Sequence, residues 1–148
     1  VSGGKTTADV ADWGYLTQKG KRVYNARSET LLEKPLFGKD FVQNRCVIPV
    51  TGFCEWDGDG TGWDFLPQEE EMLYLAGFCR KKTEGWEATV VTEHASGCVG
   101  EIHHRTPLIL SGENLRQWLY DEALARQFLE EAKERVLLKR KKMEGETL

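Results

Sequence analysis

From Lys21 to Leu110 the apolar residues come in short runs broken by turns, and after Leu110 their period changes. No other feature restricts the fold as much. Strand-length runs rich in Val, Ile, Tyr and Phe are expected at residues 22–26, 45–50, 53–56, 72–78, 87–92 and 108–110. Asp57-Gly58-Asp59-Gly60-Thr61-Gly62 reads as a loop, because its glycines favour turns and its aspartates bond their own backbone. Residues 81–85 read as a hairpin turn. Beyond Leu110, Ser111 is placed to cap a helix carrying Leu115, Trp118 and Leu119 on one face. Asp121 is placed to cap a second, with Leu124, Phe128 and Leu129 apolar. Strands first and helices later predict an α+β domain with a mainly antiparallel sheet.

A chain of 148 residues is long enough for one domain with a single core. Hydrophobic residues make up 40% and charged residues 30%, which excludes a disordered polymer. No apolar run approaches the roughly 20 residues of a membrane helix, so no membrane partner is expected. Residues 1–12 have no signal-peptide pattern and are expected to be a flexible segment before a domain at 13–148. The net charge of −4 argues against nucleic-acid binding over the whole surface, but leaves room for a local basic groove. Cys46, Cys54, Cys79 and Cys98 form no Cys-x-x-Cys pair, so neither a metal nor a cofactor is expected. Reduced thiols in a cytoplasmic protein fit best. The run Lys139-Arg140-Lys141-Lys142 reads as a solvated tail, with an interaction tail as the alternative.

Three polar segments interrupt this apolar pattern: Asn25-Ala26-Arg27-Ser28-Glu29-Thr30, Gly52-Phe53-Cys54-Glu55-Trp56 and His103-His104-Arg105-Thr106-Pro107. Strand alternation puts Phe53 and Glu55 on one face, and Cys54 and Trp56 on the other. Glu55 beside a large aromatic is either a partly desolvated acid–base group or a strand-end carboxylate facing water. His103 and His104 cannot both face one way in extended chain. Arg105 and Pro107 add an anion ligand and a fixed backbone beside them. Arg27 is suited to a phosphate or to an ordinary salt bridge with Glu29. Asn25 can orient a nucleophile or a carbonyl. Trp56 and Trp13 are either core or stacking platforms for a base. Cys54 is a candidate nucleophile, which gives a Cys-His-Glu hydrolase using Cys54 and His103 as an alternative enzyme.

Taken together and in order, these segments resemble the SOS-response-associated peptidase family, the abasic-site processing proteins. The matching motifs are Asn-Ala-Arg-x-Glu-Thr, Gly-Phe-Tyr-Glu-Trp and His-Asp-Arg-Met-Pro-Leu-Ile-Leu. Trp13-Gly14 and Arg45-Cys46-Val47-Ile48-Pro49 fit as well. The resemblance implies a barrel-like core with C-terminal helices. It implies binding to single-stranded DNA at an abasic site, and a monomer is expected. There, an N-terminal cysteine exposed by autoproteolysis closes a thiazolidine on the sugar aldehyde. It also implies catalytic roles for Asn25, Glu55 and His103, with DNA contacts from Arg27, Trp56, Thr92 and Arg105. Residues 1–12 do not match the family's Met-Cys-Gly-Arg opening. The expectation is therefore a domain incomplete at its N-terminus, or a relative that binds single strands without catalysis. Cys54 stands where the family has an aromatic, and His104 where it has an acid.

Overall fold

The computed structural model describes residues 5–131 and 136–143. Residues 1–4 of the opening segment and residues 132–135 and 144–148 of the domain lie outside the described residues. In chain order the elements begin β1 (Ala11–Trp13), β2 (Tyr15–Leu16), β3 (Arg22–Val23), β4 (Asn25–Arg27), a 3-10 turn (Leu31–Glu33) and α1 (Gly38–Gln43). They continue with β5 (Arg45–Val50), β6 (Phe53–Trp56), β7 (Gly62–Pro67), β8 (Leu73–Lys81), β9 (Trp86–His94) and α2 (Gly97–Gly100). The chain then forms β10 (Arg105–Pro107), β11 (Ile109–Leu110), α3 (Gly112–Tyr120), α4 (Glu122–Glu130) and β12 (Leu137–Lys141). The fold is α+β, as the order of periods predicts. The expected barrel is not closed: one seven-stranded sheet, one three-stranded sheet and a two-stranded pair remain separate.

The hairpin β8–β9 organises the large sheet. Its strands pair from Gly77↔Val90 to Lys81↔Trp86, and Lys82 N–H to Gly85 O (3.0 Å) closes the turn. Gly85 sits at φ +79°, where a side chain would be strained. Away from the turn the two strands splay, and residues 105–110 wedge into the fork. Arg105–Pro107 pairs with β9, and Ile109–Leu110 pairs with β8. Leu108 joins both: its N–H donates to Val91 O and its carbonyl accepts from Ala76 N–H, each at 2.8 Å. The fork thereby fixes the backbone of the histidine-containing segment.

Each face of the large sheet carries its own core. One face meets the helices through Ala26, Ala76, Phe78 and Val91, packed with Tyr15, Phe41 and Trp118. Trp118 is fully buried and donates to Cys46 O at 2.9 Å. Loss of such a side chain costs about 3–5 kcal/mol. Buried Arg45 donates to the carbonyls of Trp118, Phe41 and Val42, satisfying helix-end acceptors. The other face presents Leu73, Leu75, Val90 and Ile109, against which Phe53 and Leu137 of the small sheet pack.

Several elements depart from expectation. The strand expected at 22–26 breaks at Tyr24, whose carbonyl accepts from Val90 N–H, Thr89 Oγ1 and Trp13 Nε1. Ala11 and Asp12, assigned to the opening segment, pair with Trp86 and Glu87 in β1. Ser111 stands at the start of α3 without a side-chain cap, whereas Asp121 Oδ1 accepts from Leu124 N–H at 3.0 Å. The loop after Trp56 ends at Thr61, because Gly62 already opens β7. The basic run is not a solvated tail: Lys139, Arg140 and Lys141 lie in β12, paired with Phe65, Asp64 and Trp63. An otherwise open edge of β7 supplies the backbone partners that a charge run does not advertise.

Candidate functional site

Alternation along β9 decides which polar side chains share a space. Val90, Thr92 and His94 point to the face that meets the small sheet. In-register pairing adds Asn25 opposite Val90, Arg27 opposite Thr92, and Arg105 opposite His94. On the small sheet, Phe53 and Glu55 share a face, and Phe53 stacks on Phe65 at 5.2 Å while joining the core beneath Val90. Asn25, Arg27, Thr92, Arg105 and Glu55 are thus all carried on the two facing sheet surfaces. The short helix α2 delivers His103 to the margin of the same space, with His103 N–H bonded to Val99 O at 2.9 Å.

Glu55 and His103 are brought together. Glu55 Oε2 lies 3.8 Å from His103 Nδ1, with both side chains partly buried. That separation exceeds a hydrogen bond and leaves room for a small shift or a bridging atom. Burial pushes the Glu55 carboxyl above its ordinary value, and positive charge on His103 opposes that rise. His103 Nδ1 also faces Arg105 N–H at 3.1 Å and Arg105 O at 3.2 Å. The bare nitrogen accepts from the amide, and the protonated nitrogen donates to the carbonyl. The backbone of one residue therefore serves both states of the ring, and Nε2 is left for other partners. His104 stacks beside it, ring centroids 4.5 Å apart, with its own side chain exposed.

Arg105 is held differently. Its guanidinium is buried and grips Glu29 in a bidentate pair at 2.7 and 3.0 Å, while also donating to Thr92 O and Oγ1. The hydrogen bonds from Arg105 hold the Glu29 carboxyl below its ordinary range. His94 Nε2 approaches the same carboxylate at 3.4 Å. A salt bridge to Glu29 was one of the two uses open to Arg27. The structure pairs Glu29 with Arg105, 76 positions away, which strand spacing could not reveal. Arg27 is exposed and has no ion pair among the described residues. Asn25 is exposed on β4 and, among the described residues, makes no side-chain bond to Glu55 or His103; its common ground with them is the shared space. Arg22 contacts Glu87 at 3.6 Å and Gly14 O at 2.9 Å, so its charge is engaged within the fold.

Cys54 stands on the opposite face of β6, in register with Asp64. Burial and a hydrogen bond to Asp64 push its thiol above the ordinary value. A Cys54–His103 dyad therefore lacks both its geometry and its thiolate. Trp56 is 54% exposed on that same outer face. Trp13, also exposed, meets Tyr24 edge-on at 5.1 Å. Among the described residues no three His, Cys, Asp or Glu side chains gather as a metal site, and no helix is long and apolar enough to cross a membrane.

Comparison with known proteins adds an independent line. The family model described as SOS response associated peptidase matches residues 2–144. The abasic site processing protein YoqW of Bacillus subtilis is 32% identical over 119 residues, covering 74% of this chain and 53% of that protein. The abasic site processing protein YobE of the same organism is 34% identical over 109 residues, covering 68% of this chain and 50% of that one. The chain thus spans about half the length of these curated relatives. A crystal structure of a Bordetella bronchiseptica protein superposes with a TM-score of 0.77 at 22% identity, covering 90% of this chain and 76% of that one. This last likeness concerns the fold alone.

Proposed function

This chain belongs to the SOS response associated peptidase family, and from that premise we propose that it binds single-stranded DNA at abasic sites and carries the acid–base part of their processing. The observation that carries the reading is the pair Glu55–His103. A carboxyl raised by burial and an imidazole with backbone partners for both protonation states stand 3.8 Å apart on one rim. When an amine adds to a ring-opened sugar aldehyde a C–N bond forms, the oxygen must gain a proton so that the C–O bond can break with loss of water, and the nitrogen must lose a proton of its own. A carboxyl whose proton affinity is raised by burial is suited to donate the first, and an imidazole nitrogen is suited to accept the second. His103 Nε2 would face the sugar, since Nδ1 is engaged by the Arg105 backbone.

Asn25 would orient the attacking group from the facing sheet. Arg27, exposed without an ion pair among the described residues, would take a backbone phosphate. Trp56 would offer a stacking surface for a base. Thr92 and Arg105 would shape the site from below, with Arg105 acting through the backbone that holds His103. YoqW and YobE are named as abasic site processing proteins, which supports the same substrate class. The Cys54–His103 hydrolase is disfavoured by the opposite faces of β6. A non-catalytic single-strand binder is the reading that the test below separates.

The test is to titrate the polypeptide with single-stranded DNA, intact and carrying an abasic site, and to follow covalent adducts and strand cleavage on denaturing gels. Glu55→Gln and His103→Ala should alter adduct formation, reversal or cleavage while binding persists. Arg27→Ala should weaken binding and flatten its salt dependence by about 0.7 in slope for one single-strand phosphate. Absence of any single-strand binding would overturn the proposal. Binding with no abasic-specific product would leave only the non-catalytic reading standing.

A further inference from the structure

Pairing across the small sheet sorts the basic run of residues 139–142 into two uses. Its strands form rows, each with one residue from β6, β7 and the C-terminal strand. Phe53, Phe65 and Lys139 make one row; Cys54, Asp64 and Arg140 the next; Glu55, Trp63 and Lys141 the third. The fourth row is Trp56, Gly62 and Lys142, where Lys142 N–H bonds to Gly62 O at 2.9 Å. Lys139 pairs with Glu101 and lies 5.3 Å over the Trp63 ring. Arg140 pairs with buried Asp64 at 3.5 Å. Those two charges are neutralised within the fold and hold the edge strand down. Lys142 has no ion pair among the described residues. Its ammonium lies 5.6 Å from the Trp56 ring centroid.

Gly62 is the floor of this couple. A methyl group there would meet Trp56 Nε1 and the Lys142 stem, each at 3.3 Å. The glycine therefore lets the indole and the lysine chain lie close across β7. The result is an exposed aromatic ring beside an ammonium that has no ion pair among the described residues, held at the end of paired strands by the Lys142–Gly62 backbone bond. It lies one residue along β6 from Glu55, on the opposite face, at the end of the sheet.

We infer that Lys142, with Trp56 across Gly62, forms a subsite for a nucleotide flanking the one at Glu55: the base stacks on the indole and its phosphate meets the ammonium. This rests on the single-strand reading above. The ligand class follows from the pair of groups. An acidic peptide would use the ammonium and leave the ring idle, whereas a nucleotide has both an aromatic face and a phosphate. A flexible single strand can also turn round the sheet end, which a stiff duplex cannot do over so short a distance.

The experiment measures binding of fluorescent single-stranded oligonucleotides to the chain over a range of salt concentrations. Lys142→Ala should lower the slope of log K against log salt by about 0.7, one single-strand phosphate, and weaken binding at low salt. Lys142→Arg should restore the slope. Trp56→Leu should weaken binding with little change in slope, and Lys139→Ala should leave the slope unchanged. Circular dichroism checks that each variant is folded. If the wild-type chain binds and Lys142→Ala keeps the wild-type slope and affinity, the subsite is refuted while the single-strand reading stands. If the wild-type chain binds no single strand, the underlying reading falls and the subsite with it.

Discussion

Two carboxylates, Glu29 in the turn after β4 and Glu55 on β6, have opposite fates. Glu29 is gripped by two nitrogens of buried Arg105, and those hydrogen bonds hold its proton affinity down. Glu55 has an imidazole nearby but no bond to it, and burial drives its proton affinity up. The same side chain is fixed and anionic in one corner and poised to exchange a proton in the other. The difference lies in partners and solvent, since desolvation favours the neutral acid and a bonded guanidinium favours the anion. One corner builds the frame of the candidate site; in the function proposed above, the other would supply its chemistry. The two corners meet at Arg105, whose side chain serves the first and whose backbone serves the second.

The sharpest way to break this contrast is Glu55→Gln, which keeps shape and removes the proton. Abasic-site processing should fall by at least about 100-fold, the lower end of what a general acid–base group contributes. Stability should not suffer. Glu55 has a folded pKa above its ordinary 4.5, so its ionisation opposes folding increasingly as pH rises through the folded value. Urea denaturation at neutral pH should show the variant as stable as wild type or more so. An unstable variant would mean that Glu55 belongs to the frame.

Arg105→Ala tests the other corner. It removes a buried bidentate partner, and the expected loss of stability is about 2–3 kcal/mol, below the full buried-pair range because Glu29 is partly exposed. Urea midpoints at pH 7 measure it. A variant as stable as wild type would show that the pair is not structural.

Glu29→Gln should act more gently and only in one pH window. The folded pKa of Glu29 is depressed, so its pair stabilises fully above the ordinary 4.5 and loses this contribution as pH falls through the folded value. The wild-type advantage over Glu29→Gln, measured by urea titration from pH 7 into the acid range, should shrink below that point. An advantage independent of pH would contradict the assignment. The smallest effect is expected at Cys54→Ala. The thiol lies on the far face with a raised pKa, so processing should be unchanged and thiol labelling in the folded chain slow. A large loss of activity there would revive the cysteine reading.

Much of this was legible in residue order. Period-two runs located the strands at 45–50 and 53–56 and the β8–β9 hairpin, since the apolar period follows directly from which face is buried. The helical period placed Trp118, Phe128 and Leu129 inward. The polar interruptions at Asn25, Glu55 and His103 were visible because polar side chains within apolar strands are uncommon and need a reason. Alternation alone separated Glu55 from Cys54. In contrast, β7 and β12 were missed. Trp63-Asp64-Phe65 buries both faces, so its apolar period is blurred, and four consecutive bases hide a strand whose stability comes from its neighbour.

The sequence by itself determined the class of fold, the family and the kinds of chemical group present, because these depend on local period and on motif order. Only the tertiary structure decided what each charge does. Glu29 found Arg105 instead of Arg27, Arg140 found Asp64, and Lys142 came to rest beside Trp56. Those partnerships join residues far apart in the chain. A charge's proton affinity and availability are set by the groups and the solvent within a few ångströms of it, and strand pairing alone brings those groups there.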